Sequence, residues 1–226
     1  MKVKMKIRGA VFDLDGTLIN SLIFWSTWWK RMGKKYLNDE SFYPTAEQDR
    51  AIRTMPTKDA MKYIYDIYKF GESCKALIDE MNECTIDFYM NDVEMKKGTA
   101  EFLEYLKNIG VKMCVASATK KLFVEKVLKK FCIEKYFDGV FSCADIGSGK
   151  DKPDIYYITA DFLKMNPTEI CVFEDSATAV VTAKTAGFKT VGIYDENNYG
   201  HDILKDNSDI YINKNESIDR LIGVFG

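Results

Sequence analysis

The sequence predicts an α/β fold in which a doubly wound, Rossmann-like parallel sheet carries an inserted α-helical segment. Three observations lead to this prediction. Short apolar runs without polar alternation are typical of strands covered on both faces of a parallel sheet. Helical patterns separate these runs along most of the chain. One stretch, residues 20–95, contains no convincing strand and is instead rich in helix formers and aromatic residues.

The predicted strands are residues 7–12, 111–116, 140–142, 170–173, 190–193 and 210–212. Three helices are predicted between them, at residues 101–109, 154–165 and 176–186. The first ends at Gly110, a residue type that commonly terminates helices, and the second follows Pro153, which favours a first turn. The third opens with Ser176, whose hydroxyl can cap a helix. Strands that alternate with helices in this way favour one parallel sheet.

The insert divides the chain into an α/β core, residues 1–19 and 96–226, and a helical segment, residues 20–95. All three tryptophans, Trp25, Trp28 and Trp29, fall in the helical segment. Large aromatic side chains at helical spacing more often form a core than a ligand site, so we expect them to pack inside this segment.

The composition argues against several classes of protein. Of the 226 residues, 46% are hydrophobic, and 32 basic residues against 34 acidic residues leave no excess of positive charge for binding nucleic acid. The first eight residues are basic, and the apolar stretch after them, residues 7–12, is too short for a signal peptide or a membrane span, so we expect a cytoplasmic protein without a membrane partner. We further expect a monomer or a weak homodimer.

Cysteine and histidine offer little chemistry. The six cysteines form no Cys-x-x-Cys pair and are expected to be buried free thiols. The single histidine, His201, is expected in an exposed loop. The chemistry of the protein is therefore predicted to depend on carboxylates, hydroxyls and lysines.

The strongest motif is Asp-Leu-Asp-Gly-Thr, which directly follows the first predicted strand. Residues two apart on an extended chain point the same way, so Asp13 and Asp15 can face one site at the carboxyl end of the strand, where open α/β sheets bind ligands. Gly16 permits a sharp turn, and Thr17 offers a hydroxyl. Two neighbouring carboxylates repel each other, and a hard dication such as Mg²⁺ relieves the repulsion. An ordinary Asp-Gly turn is the simpler alternative.

Further polar groups follow other predicted strands. Ser117 and Ala118 follow the second strand, where a hydroxyl and backbone amides could hold phosphate oxygens. Lys152 precedes a proline at the start of a helix, where an ammonium could balance a phosphoryl group. Glu174 and Asp175 close the fourth strand. Each feature alone is weak, but together they predict a site for phosphate and a metal ion.

A competing motif fails when its positions are compared with the sequence. The tetrapeptide Gly-Ser-Gly-Lys at residues 147–150 has the lysine of a nucleotide-binding P-loop. Position 144 is alanine instead of the required glycine, and Asp151 follows the lysine instead of serine or threonine. We therefore do not interpret this segment as a nucleotide site.

The ordered set of an Asp-x-Asp-Gly-Thr motif, a serine, a lysine and a Glu-Asp pair resembles the haloacid dehalogenase superfamily. The position of the insert resembles the small helical cap of the branch that contains phosphoglycolate phosphatase and β-phosphoglucomutase. By this resemblance Asp13 is the nucleophile, Asp15 the general acid and base, and Thr17, Ser117, Ala118 and Lys152 bind the phosphoryl group. Asp13, the backbone carbonyl of Asp15, and Asp175, with Glu174 helping, hold Mg²⁺.

The resemblance implies a hydrolase, a metal-binding phosphatase that acts on a small phosphorylated metabolite, such as a sugar phosphate or phosphoglycolate, through an aspartyl-phosphate. Three alternatives stay open: a hexose-phosphate mutase similar to β-phosphoglucomutase, a dehalogenase, and a binding protein without enzyme activity. Trp25 lies roughly where the mutases carry a histidine. The substrate-loop arginine of the mutases is not obvious in the comparable stretch, which reads Arg-Thr-Met-Pro-Thr-Lys at residues 53–58. Both departures favour the phosphatase.

Overall fold

A computed structural model describes residues 5–55 and 57–226. The chain divides into two compact units, one formed by residues up to Ser21 together with Glu94–Gly226, and the other by Leu22–Val93. The predicted helical segment, residues 20–95, begins two residues before the second unit and ends two residues after it.

The Leu22–Val93 unit contains four α-helices in its described residues. They are α1 (Ile23–Met32), α2 (Ala46–Thr54), α3 (Thr57–Tyr68) and α4 (Cys74–Asn91), and α1 continues into a π-helical turn, Gly33–Leu37. α2 begins with a capping box, in which the side chain of Thr45 accepts from the backbone of Gln48 and the side chain of Gln48 accepts from the backbone of Thr45. Helix formers with such caps favour helices in the described residues of this unit, which supply no strand to the sheet.

The tryptophans pack largely as predicted. Trp28 and Trp29 are fully buried, and the indole N–H of Trp29 donates to Asp49 Oδ1 at 3.0 Å. Trp25 is half-buried and packs edge-on against Trp28. The aromatic residues of this unit therefore form much of its interior.

The other unit is built on one six-stranded parallel sheet, which confirms the predicted fold class. Its strands are β1 (Gly9–Phe12), β2 (Lys112–Ser117), β3 (Gly139–Ser142), β4 (Ile170–Glu174), β5 (Lys189–Ile193) and β6 (Ile210–Ile212). Their spatial order is β3-β2-β1-β4-β5-β6, so the direction of winding reverses between β1 and β4. This reversal is the point at which doubly wound sheets bind ligands.

The helices of this unit are α5 (Thr99–Asn108), α6 (Lys121–Lys130), α7 (Cys143–Ile146), α8 (Asp154–Leu163), α9 (Ala177–Thr185) and α10 (His201–Asn207). A core of aromatic rings lies beside the central strands. Phe12 of β1 stacks on Phe173 of β4 at a centroid distance of 4.3 Å, and Phe102 of α5 meets both rings edge-on. The packing fixes the two strands whose carboxyl ends carry the acidic residues.

Two expectations from the sequence need correction. His201 is not in an exposed loop, because it begins α10, is half-buried and packs against the ring of Tyr194 at 4.4 Å. Cys132 is exposed and Cys74 half-buried, whereas the other four cysteines are buried free thiols. No helix in the described part of the chain combines the length and apolar character that a membrane span needs.

Candidate active site

The site begins where β1 ends. Asp13 follows the strand directly, is almost fully buried, and donates its backbone N–H to Phe173 O at 3.0 Å. The chain then turns sharply at Gly16, whose φ of 79° lies in the left-handed region that glycine adopts without strain. The Gly16 N–H donates to Ile19 O at 3.0 Å and closes the turn. The motif therefore holds Asp13 at the sheet edge.

Glu174 and Asp175 reach the same place from the neighbouring strand. β1 and β4 run parallel with Phe12 opposite Phe173, so the residues that follow these two positions leave the sheet side by side. Asp13, Glu174 and Asp175 each offer a carboxylate oxygen, and these oxygens all lie within 4.8 Å of one another. All three residues are buried.

The lysine at this site is Lys150 and not Lys152. The Lys150 ammonium contacts Asp13 Oδ1 at 2.5 Å and also forms an ion pair with Glu174 Oε1. Its side chain is only 12% exposed. Lys152 is exposed, and its backbone N–H donates to Gly149 O in the turn before α8. The structure thus does not bring the predicted Lys152 to the carboxylates, because the turn places the ammonium of Lys150, two residues earlier in the chain, there instead.

Asp15 is half-buried and is held by the loop that follows β2. The Thr119 hydroxyl donates to Asp15 Oδ2 at 2.7 Å. The Ser117 hydroxyl is fully buried and accepts from the Thr119 N–H at 3.0 Å, whereas Ala118 is exposed. The structure thus brings the candidate acid and base to the loop that contains the predicted phosphate-binding residues.

Charge is concentrated at this edge of the sheet. Burial raises the pKa of Asp13 well above its usual range, Lys150 opposes that rise, and the carboxylates of Glu174, Asp175 and Asp15 add to it. Burial also raises the pKa of Asp175, to about 7, with a further contribution from Glu174. Burial lowers the pKa of Lys150, but Asp13 and Glu174 more than offset it, so the net direction is upward. The acidic cluster therefore needs additional positive charge to be fully ionised.

Side chains around the acidic cluster hold two of its carboxylates in place. Thr17 is buried, and its hydroxyl donates to Asp175 Oδ1 at 3.2 Å, while the Asn198 amide donates to Asp175 Oδ2 at 2.6 Å. The buried Tyr156 hydroxyl donates to Glu174 Oε1 at 3.1 Å. Burial, followed by Glu174 and Asp13, raises the pKa of Tyr156 well above its usual range, so the phenol stays a neutral donor.

The donor set suits a magnesium ion. Three carboxylates that converge within 4.8 Å supply the hard oxygen ligands that Mg²⁺ and Ca²⁺ prefer, and no thiol or imidazole belongs to the cluster. The Asp15 carboxylate is not part of this group of three. A bound dication would also favour the ionised forms of Asp13 and Asp175, whose pKa values are raised without it.

Sequence reasoning missed four residues that contact the predicted carboxylates, Thr119, Lys150, Tyr156 and Asn198. Lys150 stands in the segment that we rejected as a P-loop, and nothing in its spacing before α8 distinguishes it from Lys152. Tyr156 is one of several aromatic residues in α8, and Asn198 lies in an irregular segment between β5 and α10. Nothing in the local pattern marks either of them as a partner of Glu174 or Asp175.

Comparison with known proteins assigns the family. The family model described as haloacid dehalogenase-like hydrolase matches residues 10–193. The chain belongs to this family. The match spans the site residues from Asp13 to Asp175, though not Asn198, and confirms the expectation of an enzyme of this superfamily.

Individual relatives agree with the assignment. The chain is 24% identical over 200 residues to the phosphorylated carbohydrates phosphatase of Thermotoga maritima, covering 88% of this chain and 91% of the relative. CbbY from Rhodobacter sphaeroides, solved in complex with phosphate, has a TM-score of 0.78 at 20% identity, covering 95% of this chain and 96% of that one. The β-phosphoglucomutase of Clostridium difficile has a TM-score of 0.73 at 20% identity, with coverages of 95% and 93%. At these identities the two structures show the shared fold.

Proposed function

We propose that this protein is a Mg²⁺-dependent phosphatase that hydrolyses a small phosphorylated metabolite, of the sugar phosphate or phosphoglycolate type, through an aspartyl-phosphate on Asp13. The convergence of Asp13, Lys150, Glu174 and Asp175 where β1 and β4 end is the observation that carries the proposal. The name of the Thermotoga maritima relative favours a phosphorylated carbohydrate as the substrate class.

In the first half-reaction, a carboxylate oxygen of Asp13 attacks phosphorus, and the bond from phosphorus to the ester oxygen breaks. Asp15 transfers its proton to the departing alkoxide, which leaves as an alcohol. The Lys150 ammonium, 2.5 Å from Asp13 Oδ1, lies where it can neutralise charge on the phosphoryl oxygens. Ser117 and the backbone N–H of Ala118 complete the proposed phosphate site.

In the second half-reaction, a water molecule attacks phosphorus, and the bond from phosphorus to the Asp13 oxygen breaks. Asp15, now ionised, takes the proton from this water and regains the state in which it began. The hydrogen bond from Thr119 fixes the Asp15 carboxylate for both transfers. Atoms and charges therefore balance without any further reactant.

Asp13, Glu174 and Asp175, together with the backbone carbonyl of Asp15, would hold the magnesium ion. When bound, the ion supplies positive charge that favours the ionised form of Asp13 and stabilises charge on the phosphoryl oxygens. The Leu22–Val93 unit serves in this proposal as the cap that excludes water and selects the substrate.

The test is a screen of phosphorylated metabolites for released phosphate, with Mg²⁺ and with a chelator. We expect turnover of at least one sugar phosphate or phosphoglycolate that the chelator abolishes. Asp13→Asn should remove this activity with the fold intact, whereas Asp161→Asn, an exposed aspartate on α8, should leave it unchanged. Full turnover by Asp13→Asn would rule out Asp13 as the nucleophile. Efficient conversion of β-glucose 1-phosphate to glucose 6-phosphate with a bisphosphate primer would indicate a mutase instead.

A further inference from the structure

We infer that Asn198 is a positioning residue of the metal site, which holds the Asp175 carboxylate in the orientation that binds the cation. The inference rests on the proposed function, since it takes Asp175 as a ligand of Mg²⁺. It adds a residue that the sequence motifs do not contain, because Asn198 follows β5 and lies 23 positions from Asp175 along the chain.

The contact is specific to Asp175. The Asn198 side-chain amide donates to Asp175 Oδ2 at 2.6 Å and lies 3.2 Å from the Asp175 backbone oxygen. The segment that presents this amide is itself anchored. The Asn198 N–H donates to Asp195 O, and the Tyr194 N–H donates to Ile212 O of β6, both at 3.0 Å. The amide is therefore offered to Asp175 by a fixed backbone.

Asn198 acts together with Thr17. The Thr17 hydroxyl donates to Asp175 Oδ1 at 3.2 Å, so each oxygen of the carboxylate accepts a bond from a different segment of the chain. An ionised carboxylate has about four acceptor positions on its two oxygens, and these two bonds leave acceptor positions free for a cation. With both oxygens held, rotation of the Asp175 carboxylate away from Asp13 and Glu174 costs hydrogen bonds.

A neutral donor suits this position. A cationic donor against Asp175 would orient the carboxylate equally well, but it would add a second ammonium to the one that Lys150 already places at Asp13 and Glu174, and so increase the repulsion of a bound dication. The nearby Lys96 ammonium is instead paired with the buried Asp195 at 2.8 Å and donates to Tyr194 O at 3.2 Å. The hydrogen bond to Asp175 thus comes from an amide, while the neighbouring positive charge is balanced by Asp195.

Loss of such an orienting bond has a known cost. Removing the partner that fixes a metal-binding side chain typically weakens metal affinity by about 10-fold to 100-fold. We expect a loss in this range for Asn198→Leu, which keeps the branching of the side chain and removes the donor. Asn197→Leu is the matched control, because Asn197 belongs to the same segment but its amide lies beside Asp195.

The experiment measures Mg²⁺ binding to the full chain by calorimetry, and Mn²⁺ binding by paramagnetic resonance, without substrate. We expect Asn198→Leu to bind both ions about 10-fold to 100-fold more weakly than the wild type, with unchanged circular dichroism and an unchanged metal-free melting temperature. Asn197→Leu should bind them as the wild type does. Asn198→Gln, which keeps an amide donor, should recover part of the affinity.

The outcomes separate the two proposals. If the wild type binds neither ion, the proposed metal-dependent function fails, and this inference fails with it. If the wild type binds Mg²⁺ and Asn198→Leu binds it equally well, the inference is overturned and the proposed function stands. If Asn198→Leu lowers the metal-free melting temperature, its weaker binding no longer separates the loss of orientation from the loss of stability. The Asn198→Gln variant then distinguishes the two causes. Recovery of affinity supports the inference, and affinity as weak as that of Asn198→Leu at wild-type stability overturns it.

Discussion

At the scale of single residues, the carboxylates of the site could be predicted and its lysine could not. Asp13, Glu174 and Asp175 follow apolar runs, and the carboxyl ends of parallel strands meet at one edge of a sheet. Lys150 lies in an irregular turn between α7 and α8, where the direction of each side chain depends on backbone angles that no repeat in the sequence reveals. The choice of Lys152 assumed that the residue before the proline faces the site.

The two lysines give a matched pair of variants for a first prediction. Lys150→Met keeps an unbranched side chain of similar length but leaves Asp13 and Glu174 without their ammonium partner. We expect kcat to fall by about 10²-fold or more, a size measured for the loss of one electrostatic stabiliser in other enzymes. Lys152→Met, on the exposed neighbour, should keep kcat within about twofold, as expected for a surface change.

Steady-state kinetics of both variants at saturating Mg²⁺ measure the difference. Thermal unfolding monitors the fold, because removing one partner of a buried ion pair also changes stability. A large loss in Lys152→Met together with normal turnover in Lys150→Met would restore the assignment made from sequence and contradict the structural one.

At the scale of elements, all six strands were predicted with bounds within two residues of those observed. Strands buried on both faces leave a continuous apolar run, which is a local signal. The short helix α7 and the π-helical turn Gly33–Leu37 have no such signal. α7 spans only four residues and is held by a Ser142 cap and by Gly147 with a φ of 76°. Such elements depend on their surroundings, so the sequence pattern alone could not show them.

The loop after β2 is the element that connects the phosphate site to Asp15. Its conformation is held by hydroxyl groups: Ser142 donates to Thr119 O at 2.9 Å, and Ser117 accepts from the Thr119 N–H. The Thr119 hydroxyl in turn donates to Asp15 Oδ2. The carboxyl ends of β1, β2 and β3 are thereby joined at the candidate acid and base.

Thr119→Val tests this connection, since it keeps the branched shape and removes the hydroxyl. General acid and base catalysis accelerates a reaction by about 10²-fold to 10⁴-fold. We expect the misoriented Asp15 of this variant to lower the rate by about tenfold relative to the wild type. The loss should be larger for alkyl phosphates than for aryl phosphates, whose leaving groups need less protonation. Thr119→Ser, which keeps the hydroxyl, should restore most of the rate in single-turnover measurements. An equal loss for both classes of substrate would show that Thr119 does not act through Asp15.

At the scale of the whole molecule, an almost neutral chain buries an excess of negative charge. The formal net charge is −2, yet Asp13, Glu174 and Asp175 are all buried at one edge of the sheet with Lys150 as the ammonium in contact. A fold that needed only stability would gain nothing from such a cluster, because neighbouring carboxylates repel one another and burial adds to the cost of ionisation. The cost is understandable if the cluster binds a cation, and it has a measurable consequence for the dependence of stability on pH.

That consequence is the last prediction. In the folded metal-free chain the pKa of Asp175 is raised to about 7 from an ordinary value of 3.8, and burial also raises the pKa of Asp13. The folded state therefore binds more protons than the unfolded state between about pH 4 and pH 7, and the free energy of unfolding should decrease as pH rises through this range. Magnesium binds the ionised carboxylates, so it should stabilise the fold strongly at pH 8 and little at pH 5.

Melting temperatures from pH 5 to pH 8, with chelator and with Mg²⁺, measure both effects, and Asp175→Asn should flatten the metal-free curve. A metal-free melting temperature that rises over this range, or an Asp175→Asn curve as steep as that of the wild type, would mean that these carboxylates do not control the stability of the metal-free fold.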